Sequence, residues 1–254
     1  MLKRIYRRII PKKLQLYVID IRVNMKRRLL HLPSNTFSGD GFTTTHYLGF
    51  RADKEFNLAF TSSINSLPSD YPPGIATAKD IEWRAHICTW AAKRALFLEG
   101  DFVECGVWYG VLSKTICEYL DFSRSNRKFY LIDSWGVMSG SHPGEYYQKD
   151  IYEDVKSRFE IYPSVELVRG IVPEILIKIP SNKIAYLALD MNSSEPELKA
   201  LEYFYPKMVV GGIIYFDDYG WKYPALRKVI DEFFSSKPET LLHFPSGNSI
   251  AIKL

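Results

Sequence analysis

Five carboxylates carry the most legible chemistry in this chain: Glu104, Asp133, Asp190 and the adjacent pair Asp217-Asp218. Each lies in or closes a short apolar run: Phe102-Val103-Glu104, Phe129–Asp133, Leu187–Asp190 and Ile213–Asp218. If the runs are neighbouring parallel strands, all five acids gather on one sheet edge, where ligands of doubly wound sheets bind. Like charges repel, so the gathering has no stabilising value of its own. It suits an edge that receives hydroxyl groups and cations. Asp190, Asp217 and Asp218 would form a hard-cation site with positions left for water and substrate oxygens. They fit equally a partly solvated acidic rim in which adjacent carboxylates cap a helix. Asp133, 29 residues after Glu104, can accept hydrogen bonds from both hydroxyls of an adenosine ribose. The alternative is a turn or helix cap.

Between the first two acids runs the turn Val103-Glu104-Cys105-Gly106-Val107-Trp108-Tyr109-Gly110. Its glycines let the backbone approach a ligand closely, although an E-x-G-x-x-x-G turn is equally a tight structural turn. The dinucleotide fingerprint G-x-G-x-x-G is absent, which disfavours NAD and FAD. The five histidines contain no metal-spaced pair. Two are candidates for a general base: His142, in the Gly-rich stretch Gly136–Gly144 that reads as a lid, and His86, on a long helix where a packed ring is the alternative.

The elements that must position these residues follow from periodicity. Lys79–Leu98 reads as a long helix with Ile81, Ala85, Cys88, Ala92 and Leu96 at helical spacing, stopped by Gly100. Strands are expected at Phe102–Gly106, Phe129–Ile132, Val165–Val168, Ile184–Leu189 and Ile213–Phe216. Helices are expected near Leu112–Leu120, Ile151–Phe159, Glu195–Tyr205 and Ala225–Phe234. That alternation predicts a parallel, doubly wound α/β sheet. Leu241–Phe244 and Ser249–Lys253 are separated only by Pro245-Ser246-Gly247-Asn248, so they should close the sheet as an antiparallel hairpin.

Upstream, residues 32–78 are poorly patterned and rich in turn chemistry, as in Leu67–Gly74, and read as a linker and lid region. Residues 1–31 read as a basic helical arm. Residues 1–28 hold ten of the 33 Lys and Arg but one of the 29 acids, which leaves 23 basic against 28 acidic residues in the rest. The arm is therefore strongly basic and the body mildly acidic. Leu14, Tyr17, Val18, Ile21 and Met25 share one helix face. The arm reads as a helix docked on its own body or on a second subunit, or as an amphipathic segment on an anionic membrane surface. No apolar stretch is long enough to span a bilayer. Three cysteines without a C-x-x-C pair disfavour a disulfide framework and a thiol-rich zinc site, and fit reduced, buried thiols in the cytoplasm.

In order along the chain, these motifs carry a resemblance. Gly100-Asp101-Phe102-Val103-Glu104-Cys105-Gly106-Val107-Trp108 resembles the cofactor motif of the macrocin and mycinamicin O-methyltransferase family. The similarity continues through Leu131–Ser134, Gly170–Glu174, Leu187–Asp190, Gly211–Gly220 and Pro245–Asn248, spanning about residues 79–254. The resemblance implies a Rossmann-like class I methyltransferase fold, a mostly parallel seven-stranded sheet ending in an antiparallel hairpin. It implies S-adenosylmethionine as methyl donor and Mg²⁺-assisted transfer to a sugar hydroxyl. By motif position Asp190, Asp217 and Asp218 look like metal ligands. Glu104, Cys105, Gly106, Val107, Trp108, Asp133 and Ser134 look like cofactor contacts, with Gly170 and Ile171 where the adenine is expected. The chain departs from the family in having Asp190-Met191-Asn192-Ser193 without a second aspartate, and Tyr109-Gly110 in place of Arg-Gly.

The expected partner is a small-molecule or glycan acceptor, and family habit adds a homo-oligomer. A competing reading is a non-catalytic cofactor-binding partner in an assembly complex, against which the retained aspartates argue. Nucleic acid is not an expected partner, because the body is acidic and no Asn-Pro-Pro-Tyr base-methylating motif occurs.

Overall fold

The computed structural model describes residues 21, 25, 35–72, 80–136 and 149–254. The rest of the basic arm, His142 and most of the Gly136–Gly144 stretch lie outside the described residues. The chain divides into two compact units, residues 1–38 with 43–48, and residues 39–42 with 49–254. Two short strands, β1 (Phe37–Gly39) and β2 (Phe42–Thr44), form a sheet of their own.

The region read as linker and lid contains a regular helix. Helix α1 (Lys54–Asn65) starts on Asp53, whose side chain accepts from the Phe56 N–H. No helix is predicted in this region from the sequence, yet its apolar positions Phe56, Ala59 and Phe60 are buried at i, i+3 and i+4 spacing, a stripe too short to stand out among polar neighbours. Helix α2 (Glu82–Ala95) follows, buried along Ala85, Cys88, Ala91, Ala92 and Ala95.

The remaining elements alternate as expected: β3 (Asp101–Cys105), α3 (Val111–Tyr119), β4 (Phe129–Asp133), α4 (Tyr152–Phe159), β5 (Val165–Arg169), β6 (Ile184–Leu189), α5 (Ser194–Phe204), β7 (Met208–Phe216), α6 (Pro224–Phe234), β8 (Leu242–His243) and β9 (Ser249–Ile252). The seven-stranded sheet has the order β5-β4-β3-β6-β7-β9-β8. Strands β3 to β7 are parallel, while β9 runs antiparallel to β7 and β8 antiparallel to β9. Strand β7 begins at Met208, five residues before the expected Ile213.

Alternation along β3 shows why both sheet faces are covered. Phe102 packs with α2, α3 and α4 residues such as Cys88, Ile116 and Val155. Val103 and Cys105 point to the opposite face, among Leu201, Phe204 and Ile230 of α5 and α6. No described helix is long and apolar enough to cross a membrane.

Candidate functional site

Strand order reverses between β3 and β6, which places a crevice at their carboxyl ends. The turn after β3 packs directly on the end of β6. Asp190 N–H donates to Cys105 O at 2.8 Å, and Gly106 N–H donates to Ile132 O at 2.9 Å. Gly106 has φ +85°, and a Cβ there would lie 2.0 Å from the Asp190 carbonyl oxygen, so only glycine fits. A cavity opens at this crevice. Its wall includes Gly106, Trp108, Asp133, Ser134, Gly170, Ile171 and Asp190, joined by Trp135, Lys149, Val172 and Met191.

Asp133 organises the cavity floor. Its Oδ2 accepts from the backbone N–H groups of Val107 at 2.7 Å and Trp108 at 2.8 Å, and its Oδ1 accepts from the Trp135 N–H at 2.8 Å. The carboxylate thus staples the β3–α3 turn to the end of β4. Trp135 adds a second staple, its indole N–H donating to Trp108 O at 2.8 Å.

The acidic edge is assembled from β6 and β7. Asp190, Asp217 and Asp218 bring one carboxylate oxygen each to within 4.8 Å of one another. Asp217 and Asp218 are buried and Asp190 is half-buried. Burial, then the neighbouring Asp217 and Asp218, pushes the Asp190 carboxyl well above the usual range. Burial and Asp217 likewise raise Asp218, to about 7, against the pull of Arg84. Asp217 is fixed by the Tyr215 hydroxyl, which donates to its Oδ1 at 2.5 Å, and by Asn248 Nδ2, which donates to the same oxygen at 3.0 Å. Three oxygen donors whose ionised forms repel are the donor set a hard divalent cation takes, so these residues fit Mg²⁺.

A cation of the chain's own also reaches this edge. Arg84 of α2 ion-pairs with Asp217 Oδ2, approaches Asp218 Oδ1 at 3.9 Å, and donates from Nε to Asp40 Oδ1 at 3.0 Å. Its guanidinium lies over the Trp221 ring, 5.1 Å from the centroid. Burial opposes its charge, but the carboxylates of Asp217 and Asp40 outweigh that and hold it protonated.

Six of the expected cofactor contacts, Gly106, Trp108, Asp133, Ser134, Gly170 and Ile171, share the cavity wall with Asp190. The other three do not line it. Glu104 is buried beneath α3, where its Oε2 accepts from Ser113 Oγ at 2.6 Å, and burial raises its carboxyl to about 8. Cys105 points into the core of the opposite sheet face. Val107 is buried and faces the site only through the N–H it gives to Asp133. His86 stacks on Phe50, ring centroids 4.5 Å apart, and meets Phe56 edge-on. The charges that act on it, Asp53 and Glu82, belong to that packing region. Arg84, Asp40, Tyr215 and Trp221 were not anticipated. Arg84 carried a readable signal: it stands at the head of the buried series Ile87, Cys88 and Ala91 at helical spacing, where a charge needs a partner.

Comparison with known proteins agrees with this geometry. The sequence pattern of the family Macrocin-O-methyltransferase (TylF) matches residues 91–240. The fold is similar to that of the O-methyltransferase NovP, at 20% identity and a TM-score of 0.61 over 81% of this chain and 98% of that one. It is similar to the apo structure of CalS11, TDP-rhamnose 3′-O-methyltransferase of calicheamicin biosynthesis, at 17% identity and 0.52 over 82% and 96%. It is also similar to the SAH-bound methyltransferase PaMTH1 of Podospora anserina, at 12% identity and 0.56 over 81% and 95%. No curated protein matches the chain. The match over more than half the sequence, on a sheet whose switch-point crevice carries the family's motifs, means that this chain belongs to the macrocin O-methyltransferase family of S-adenosylmethionine-dependent O-methyltransferases.

Proposed function

We propose that the enzyme methylates a hydroxyl of a sugar or glycoconjugate with the assistance of Mg²⁺ held by Asp190, Asp217 and Asp218. The observation that carries this reading is the convergence of those three carboxylates beside the β3–β6 crevice. The sugar acceptor is inferred from the family and from the TDP-rhamnose named for CalS11.

S-adenosylmethionine supplies an already electrophilic methyl group, so the protein's main task is alignment. The crevice would receive it with Gly106 and Trp108 against the chain of the cofactor. Asp133 and Ser134 would face the ribose, and Gly170 and Ile171 the adenine. A divalent cation on the three aspartates would lower the pKa of an acceptor hydroxyl. Tyr215 and Asn248 keep Asp217 oriented for that role. The ten basic residues of 1–28 support peripheral contact of the arm with an anionic membrane surface, which salt-sensitive liposome sedimentation of the full chain against one lacking residues 1–28 would test.

The deciding experiment is calorimetric titration with S-adenosylhomocysteine, repeated with Mg²⁺ and after EDTA, followed by a turnover screen on glycoside and nucleotide-sugar acceptors. Micromolar cofactor binding, with turnover on a sugar hydroxyl that EDTA abolishes and Mg²⁺ restores, is expected. Turnover indifferent to EDTA would overturn the cation reading.

A further inference from the structure

The oxygens of Asp217 are not equivalent. Oδ1 already accepts from the Tyr215 hydroxyl and from Asn248 Nδ2. Oδ2 is therefore the oxygen left to face a cation, and it is the one to which Arg84 Nη1 donates. A guanidinium and a divalent cation would compete for the same atom. On the far side of Arg84 stands Asp40, in the turn between β1 and β2, held at φ +46° with its side chain 4% exposed. Asp40 Oδ1 accepts from Arg84 Nε. Asp40 Oδ2 is buried and has no hydrogen-bond partner among the described residues. A buried carboxylate oxygen without a donor is costly, and an arginine can satisfy both oxygens of one carboxylate with its fork.

We propose that Arg84 is the resident counter-ion of the cation site: it neutralises Asp217 when no divalent cation is present, and turns its fork onto both oxygens of Asp40 when one binds. This inference rests on the cation reading of Asp190, Asp217 and Asp218. The motion needed is small. Nε stays on Asp40 Oδ1, a small turn brings the Nη2 donor beside it onto Asp40 Oδ2, and Nη1 gives up Asp217 Oδ2 while the guanidinium keeps its contact with Trp221. Asp40 supplies the alternative seat, so it favours the cation although it lies outside the triad. Arg84 opposes the cation although it stabilises the acidic edge.

Those opposite signs separate the proposal from an ordinary ion pair. If Arg84 and Asp40 only held the structure together, removing either would loosen the site and weaken cation binding. The test is Mn²⁺ binding by the full chain, followed by electron paramagnetic resonance with and without S-adenosylhomocysteine. Arg84→Gln is expected to tighten Mn²⁺ binding about tenfold, and Asp40→Asn to weaken it about tenfold, modest against the strength of close charge pairs. The double variant should bind within about threefold of Arg84→Gln, because Asp40 acts through the arginine. Arg84→Lys keeps the charge but not the fork and should fall between wild type and Arg84→Gln, which serves if the glutamine variant does not fold. Weaker or unchanged binding in both Arg84 variants, or weakening by both members of the pair, overturns the inference while leaving the cation reading intact. No Mn²⁺ binding by the wild-type chain overturns both.

Discussion

Among the described residues, two clusters of buried charge differ in a way that separates architecture from function. One is the clamp that joins α1, α3 and α4. Lys114 donates to the Tyr162 hydroxyl at 3.0 Å and pairs with Glu118 at 2.8 Å, and Ser62 Oγ donates to Glu118 at 2.9 Å. Arg158 donates to Tyr109 O, Ser66 Oγ and Ser63 O at 2.9, 2.9 and 3.1 Å. In the clamp each cation faces oxygens it saturates. The other cluster is the acidic edge, where Asp40, Asp190, Asp217 and Asp218 share one guanidinium among the described residues. A cluster whose donors meet acceptors of the chain and which leaves no carboxylate over closes on itself. Surplus charge asks for a partner from outside, and perturbed carboxylates in a crevice are where function is expected.

The largest expected effect is therefore at the edge. Asp217→Asn should lower turnover more than about 100-fold, since even outer-shell partners of a metal site are worth 10–100-fold. S-adenosylhomocysteine affinity should stay within about threefold, because the cavity wall does not include Asp217. Single-turnover kinetics alongside calorimetry checks both halves. Retained turnover would show that the surplus charge serves no cation, and the contrast between the clusters would lose its functional meaning.

The matching change in the clamp is Arg158→Ala. Arg158 is 6% exposed, and its removal leaves two carbonyls and a hydroxyl without their donor, a loss of about 3 kcal/mol. Chemical denaturation should report that loss with Mn²⁺ affinity unchanged. A clamp variant that altered cation binding while remaining stable would show the two clusters to be coupled.

How much of this was legible in the sequence depends on the distance over which each signal acts. The parallel core is written in runs such as Ile184–Leu189, whose bounds agree with the observed strand, because apolar periodicity is local. The convergence of Asp190 with Asp217-Asp218 followed from strand order alone, since acids at the ends of adjacent parallel strands must meet. Arg84 and Asp40 were missed because their partners are 133 and 44 residues away, and pairing at that range has no periodicity to read. Helix α1 was missed for a different reason: Phe56, Ala59 and Phe60 form a stripe that makes sense only once α3 is present to cover it. Glu104 illustrates a third limit. Its motif position was readable, but side-chain direction on β3 turns it beneath α3 instead of into the cavity.

Glu104 also probes the boundary between the clusters, being a motif acid with the burial of a structural one. Its folded carboxyl stands near 8, raised by burial from an ordinary value near 4.5. A raised folded value means that the native state holds the proton more tightly. Its stabilising contribution is full below about pH 4.5 and is lost as pH rises to about 8. Glu104→Gln should flatten the fall of stability across that window by up to about 1.4 kcal/mol per pH unit, read as the pH dependence of the thermal midpoint. An identical pH profile in wild type and variant would mean that Glu104 titrates in the folded chain as it does in the unfolded one, against the effect of its burial.

His86 gives the smallest effect and the sharpest test of reading chemistry from residue type. Histidine is the usual general base at neutral pH, yet burial depresses this one, with Asp53 and Glu82 pulling weakly the other way. Its ring lies flat against Phe50. His86→Phe keeps that stack, so turnover should stay within about twofold and stability within about 1 kcal/mol, the range of an aromatic pair. General-base catalysis is worth about 10²–10⁴-fold, so a loss of that size would move His86 from the packing to the chemistry. It would also mean that the helix carrying Arg84 contributes a proton acceptor as well as a counter-ion.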